Sequence, residues 1–302
     1  MFNRRSGLLV FIASLAMAGN IFAIERQDKL MQFGGCGITK KAFMTELAKA
    51  YEVKTGIKIN LQGGGATKGI RKAAKGEIDI GGACRATVEG HPLERNAHQI
   101  PVAWDALVVI VNKKNPVDNI SFDQLQKLYL GKIKNWKELG GNDAPVELYA
   151  RKSKMSGVGR TLRELVFANF EQDFVATHMV KSSGPLEKGI VKNINGVGVT
   201  GVSSAKRRDV KILKLNGKEP SYDNIKSGKY VLYRPLYLVV NPSNTDPGIK
   251  DFINYAVSRE GQNIIRKQGT VPYSEAIGLV MKQLEQYQQA SERGLYQHPG
   301  SQ

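Results

Sequence analysis

Asn60–Thr87 reads NLQGGGATKGIRKAAKGEIDIGGACRAT. The order is strand, glycine-rich turn, short basic helix, second strand, then a turn ending in Cys84-Arg85. A glycine turn that opens onto a helix leaves backbone N–H groups free at the positive end of the helix dipole. Such a turn suits a small anion, and Arg85 at the next strand end adds a formal charge.

Two other segments share this grammar of a small-residue turn with hydroxyls before an amphipathic helix. With Gly63-Gly-Gly-Ala-Thr67 they are Gly34-Gly-Cys-Gly-Ile-Thr39 and Ser156-Gly-Val-Gly-Arg-Thr161. One such turn is ordinary chain punctuation. Three, with Arg85 and Arg151 near two of them, point to one shared oxyanion site. Other strings carry less. Gly196-Val-Gly-Val-Thr-Gly201 matches G-x-G-x-x-G, but no helix with an apolar face follows, so it reads as a glycine-rich strand. Gly64–Gly69 lacks the Gly-Lys-Ser/Thr ending of a P-loop. Ser156 has no nucleophile-elbow strand and no His partner, which argues against hydrolase chemistry.

Strand and helix patterns alternate along the rest of the chain, the signature of an α/β architecture. Thr39–Val53 carries Phe43, Leu47, Ala50 and Tyr51 at helical spacing, with Gly56 just past its end. Ala106–Asn112 is an almost unbroken apolar run, expected of a strand buried on both faces. Ser121-Phe-Asp-Gln124 forms a capping box, and Asp246-Pro247 starts a helix with proline at its first position. The stretch 279–302 is polar and Gln-rich, either a surface helix or a frayed tail.

The 302 residues hold 44 Lys+Arg against 27 Asp+Glu, a formal charge of +17 that creates an attractive field for anions. No dense basic stripe with stacking aromatics occurs, so nucleic acid is not expected as a partner. Arg4 and Arg5 precede a short apolar run, Gly7–Ala18, and small-residue cleavage points follow at Ala18 and Ala23. This layout makes 1–23 a secretory signal peptide and the mature chain an exported, periplasmic protein. Cys36 and Cys84 are the only cysteines; in an oxidising compartment an even pair suits a disulfide, and two separate buried thiols are the competing reading. The four histidines lack ligand spacing, so neither a metal nor any other cofactor is expected.

The phrases KTGIKINLQGGGATKGI, KGEIDIGGACR, DALVVIVNKKNPV, LYLGKIKNWKELGG, SGVGRTLREL and YRPLYLVVN together resemble the phosphate-binding proteins of bacterial ABC transporters, from about Phe33 to Tyr273. The resemblance implies a type II periplasmic-binding-protein fold: two α/β lobes joined by two crossovers and closing on an oxyanion. Lobe one would span 24–112 and 234–302, lobe two 113–233, with hinges near Asn112 and Arg234. The family's ligand loops fall on Thr39, on Gly65, Ala66 and Thr67, on Arg85, on Arg151, and on Ser156, Gly157 and Val158. Cys84 stands where the family has a serine, and Ala66 and Val158 where it has further hydroxyls. Phosphate at neutral pH still carries a proton and needs an acceptor, which sulfate does not. Arg85 falls where the family has an aspartate or, in one branch, an arginine, so the acidic acceptor is absent there and Asp105 is the candidate substitute. Neighbouring strands in this fold would bring Cys36 and Cys84 within reach of a disulfide.

The implied function is a non-enzymatic, monomeric receptor that captures phosphate or a similar oxyanion for a membrane permease. The lost hydroxyls keep a second reading open, a diverged sensor-coupled or surface-interaction module with altered ligand binding.

Overall fold

A computed structural model describes residues 30–292. The segment read from sequence as a signal peptide, with Ala18 and Ala23, and residues 293–302 of the polar tail lie outside them. The chain forms strands β1 (Met31–Gly35), β2 (Ile59–Gly63), β3 (Ile80–Ala83), β4 (His98–Asn112), β5 (Asn119–Ile120) and β6 (Glu147–Arg151). There follow β7 (His178–Val180), β8 (Gly196–Gly201), β9 (Val210–Ile212), β10 (Lys214–Leu215), β11 (Tyr233–Val240) and β12 (Val271–Pro272). The main sheet runs β2-β1-β3-β11-β4-β8-β6-β7, with β12 and β9 also pairing on β4.

β4 is the spine. Val102 to Val111 are all exposed by 1% or less, as a strand covered on both faces requires. Its first half pairs antiparallel with β11, from His98 opposite Val240 to Ala106 opposite Tyr233. Its second half pairs antiparallel with β8, starting at Leu107 opposite Gly201. β1, β2 and β3 are mutually parallel on one side, and β6, β7 and β8 on the other. One strand thus belongs to two α/β layers and changes partner between Ala106 and Leu107.

Helices form where the sequence pattern puts them. The first is unbroken over 37–55, with one π-wound stretch at Lys40–Met44, and ends at Gly56 with φ of 76°. The capping box at Ser121 has both of its bonds, and Asp246 caps Pro247–Val257 by accepting from the Gly248 N–H at 2.9 Å. Gly196–Gly201 is the glycine-rich strand expected, followed by a single helical turn, Val202–Ala205. The polar tail is helical over Gly278–Glu292. The strand His178–Val180 and the helix Ser183–Lys192 escape the sequence reading, because two glycines and a proline interrupt the apolar pattern. Pro185 sits in the helix's first turn, where no N–H is needed.

Candidate functional site

Four helices start at one cleft. Cys36, Gly65, Ser156 and Ser182 are the residues immediately before the helices at 37–55, Ala66–Ala74, 157–167 and Ser183–Lys192, and all four line it. Gly65 turns the chain with φ of 89°, a left-handed conformation that favours glycine. The helix it opens lies against β1 and β3 because Gly69 has no side chain; a Cβ there would meet Gly35 Cα and the Gly82 carbonyl at 2.7 Å. Ser156 caps its own helix by accepting from the Gly159 N–H at 3.0 Å. Ser182 makes no such cap, so that helix start keeps its donors for something else.

Arg151 supplies the charge. It ends β6, lines the cleft and is 6% exposed. Its guanidinium donates to the Ser183 hydroxyl, while Nε has no partner. No carboxylate lies within ion-pair distance of it among the described residues. Burial draws its pKa down to about 10, the mark of a cation short of counter-charge. A buried, unpaired arginine is expensive unless an anion joins it.

Lys41 and Lys181 also line the cleft. Lys41 Nζ donates to Ser204 Oγ at 2.8 Å and stands 3.7 Å from buried Glu187. Burial lowers the Lys41 pKa, against the pull of Glu187. Burial would raise Glu187, yet hydrogen bonds from Ser204, Arg208 and Thr200 hold it below the ordinary carboxylate value.

At the floor, Cys36 and Cys84 are unbridged, so the disulfide expected from sequence is not formed here, although their Sγ atoms stand 2.8 Å apart. Burial opposes ionisation, but the Cys84 contact and the Arg234 guanidinium draw Cys36 down to about 6. The Cys36 contact and burial push Cys84 well up. Gly157 covers this pair so closely that a Cβ on it would meet Cys84 Sγ at 2.3 Å and Ala66 Cβ at 3.0 Å.

Of the residues expected from sequence, Gly65, Ala66, Thr67, Arg151, Ser156, Gly157 and Val158 come together around the cleft. Three do not. The Thr39 hydroxyl is fully buried and donates to the Ala83 carbonyl at 2.9 Å. Arg85 is saturated: its guanidinium donates to both Glu94 oxygens, at 2.7 and 2.9 Å, and to the carbonyls of Ala86 and Met155. Asp105 accepts from Ser203 Oγ at 2.7 Å and pairs with Arg234 at 3.2 Å, so it is not free to accept a ligand proton. Conversely, Lys41, Lys181, Ser182, Ser183 and Ser204 are cleft residues that the sequence reading passes over. Ser182-Ser183-Gly184-Pro185 repeats the small-residue turn of the other three segments and is the signal that could have found them.

Residues 34–260 match the PBP superfamily domain. The chain belongs to that superfamily. A phosphate-binding protein PstS of Borreliella burgdorferi is 27% identical over 277 residues, covering 87% of this chain and 96% of its own. A second PstS, from Bacillus subtilis strain 168, is 26% identical over 255 residues, covering 83% of each. Among solved structures, a substrate-binding protein from Clostridium perfringens with bound phosphate is 28% identical. It covers 81% of this chain and 99% of its own, with a TM-score of 0.74. An ABC-type phosphate transport receptor from Vibrio cholerae is 29% identical, with coverage of 80% and 99% and a TM-score of 0.62. The fold is therefore the type II arrangement expected, and the diverged non-transport reading gains no support. Within the superfamily chain, the four helix starts and Arg151 occupy the gap that β4 spans between its two sets of partners.

Proposed function

We propose that this chain is an exported solute-binding protein that captures phosphate or a closely related oxyanion and delivers it to an ABC-type permease. The observation that carries this is Arg151: a nearly buried guanidinium with an unpartnered Nε, lining the cleft with four helix starts and, among the described residues, ion-paired to no carboxylate. Helix N-termini and an unpaired arginine stabilise the same charge, and a desolvated cleft strengthens both. The relatives named above as phosphate-binding or phosphate-transport proteins, together with the matching fold, support phosphate as the anion.

The two sets of strands would be two lobes, one built on 24–112 and 234–302 and the other on 113–233. β4 and β11 would be the crossovers. Arg234 supports that reading, since it bonds the Cys84 carbonyl at 3.1 Å and Asp105 while also reaching the Gly157 carbonyl at 3.4 Å. On this reading the protein is a receptor rather than an enzyme and acts as a monomer.

Titration calorimetry at low salt with phosphate, sulfate and small carboxylates tests the reading. Saturable one-to-one binding of phosphate is expected; absence of binding to all of them would sink it.

A further inference from the structure

Cys36 and Cys84 lie where anion binding and thiol chemistry meet. Cys36 follows β1 and Cys84 follows β3, two strands paired in parallel with Gly35 opposite Gly82. The Cys36 N–H donates to the Gly82 carbonyl at 2.8 Å, which holds the two backbones side by side. The sulfurs are 2.8 Å apart, and Gly157 from the facing side covers Cys84 Sγ. Both side chains are 3% exposed or less and both line the cleft, so a reagent reaches them through the space that the anion takes.

Charge links the two chemistries. Cys36 stands at the start of the helix over 37–55, where free backbone N–H groups stabilise a thiolate as they stabilise an oxyanion. The charged groups around it are Arg234 on β11, itself paired with Asp105 on β4, Arg151 on β6, and Lys41 on its own helix. Burial is what lowers the Arg151 pKa, and negative charge on Cys84 and Cys36 is what most opposes it. A Cys36 thiolate is thus a resident counter-charge that competes with an incoming anion for the guanidinium and the helix start. A disulfide carries no charge and removes the competitor.

We propose that Cys36 and Cys84 are a redox pair that sets phosphate affinity: bridged, the cleft binds phosphate tightly, and reduced, the Cys36 thiolate opposes the anion and binding weakens. This rests on the reading that the cleft takes phosphate and adds a control to it. The oxidant is an exchangeable disulfide. The Cys36 thiolate attacks one of its sulfurs, forming a mixed disulfide and releasing one thiolate. Cys84 gives its proton to that thiolate and attacks Cys36 Sγ, which closes the bridge and releases the second thiolate. The two cysteines lose two electrons, and the reagent leaves as one thiol and one thiolate. Linkage makes the coupling reciprocal, so phosphate favours the bridged form by the factor by which the bridge strengthens phosphate binding.

The test is phosphate calorimetry at pH 8 on the mature chain, either bridged with oxidised dithiothreitol or reduced with dithiothreitol, an uncharged reagent. Bridged protein is expected to bind at least about tenfold tighter than reduced protein. The gap should close by pH 5, below the Cys36 pKa of about 6. A dithiothreitol redox titration with saturating phosphate should shift toward the disulfide by the same factor. Cys36→Ala should abolish the dependence on dithiothreitol. Equal affinity in the two states, or tighter binding by reduced protein, would overturn the proposal and leave the phosphate-receptor reading standing. Failure of the pair to bridge would overturn it too, and binding of phosphate in neither state would remove the receptor reading itself.

Discussion

Gly157 is the residue on which the closeness of the two sides turns. It lies where a methyl group would overlap Cys84 Sγ and press on Ala66. Gly157→Ala is therefore expected to hold the cleft ajar and weaken phosphate binding by at least about tenfold, roughly the effect of 1.4 kcal/mol. An unchanged affinity in calorimetry would show that the contact is not part of the bound state. Glu94 plays a different part, since it is 2% exposed and neutralises Arg85 beneath the cleft. Glu94→Ala leaves that guanidinium buried and unpaired, which costs about 3–5 kcal/mol. Urea denaturation should read a loss of that size. Cys36 and Cys84 carry the third expectation at this scale. With sulfurs already in contact, the exported, unreduced protein should titrate no free thiol, whereas two reactive thiols after denaturation would leave the pair unbridged.

At the scale of elements, the legible parts were those set by local chemistry. The capping box at Ser121, the Asp246-Pro247 start and the buried ALVVIVN run all form as their residues dictate. So do the three glycine turns, because a free helix start is a local property. What could not be read locally was which charges remain free. Arg85 and Arg151 look alike in sequence, but Glu94 pairs with the first, while among the described residues no carboxylate comes within ion-pair distance of the second. Asp105 likewise finds Arg234 from a distant strand. The helix Ser183–Lys192 was hidden by its own glycines and proline, yet it brings Ser183 to Arg151. Its Glu187, together with Glu94, ties elements by accepting buried hydrogen bonds, and both have pKa values below the ordinary carboxylate value. A depressed folded-state pKa gives stability that is fully present above the unfolded value of about 4.3 and is lost as pH falls through the folded one. Melting temperature should therefore hold through neutrality and drop on the acid side of about pH 4. A drop confined to pH 6–8 would contradict this account.

For the whole molecule, β4 makes one continuous strand serve two sets of partners, and the anion-binding groups gather where those sets face each other. The excess of 44 basic over 27 acidic residues gives the chain a net positive charge that favours anion capture. Closing around the anion would complete the counter-charge that Arg151 lacks, which makes this residue a direct probe of the account. An uncompensated buried charge weakens the empty fold, while removing it deprives the ligand of its main partner. The measurement is therefore Arg151→Met against the native chain, with melting temperature of the empty protein and phosphate affinity read on the same samples. The account predicts an unchanged or higher melting temperature and an affinity lower by at least about 30-fold, the equivalent of roughly 2 kcal/mol. Native affinity in the substituted protein would contradict it.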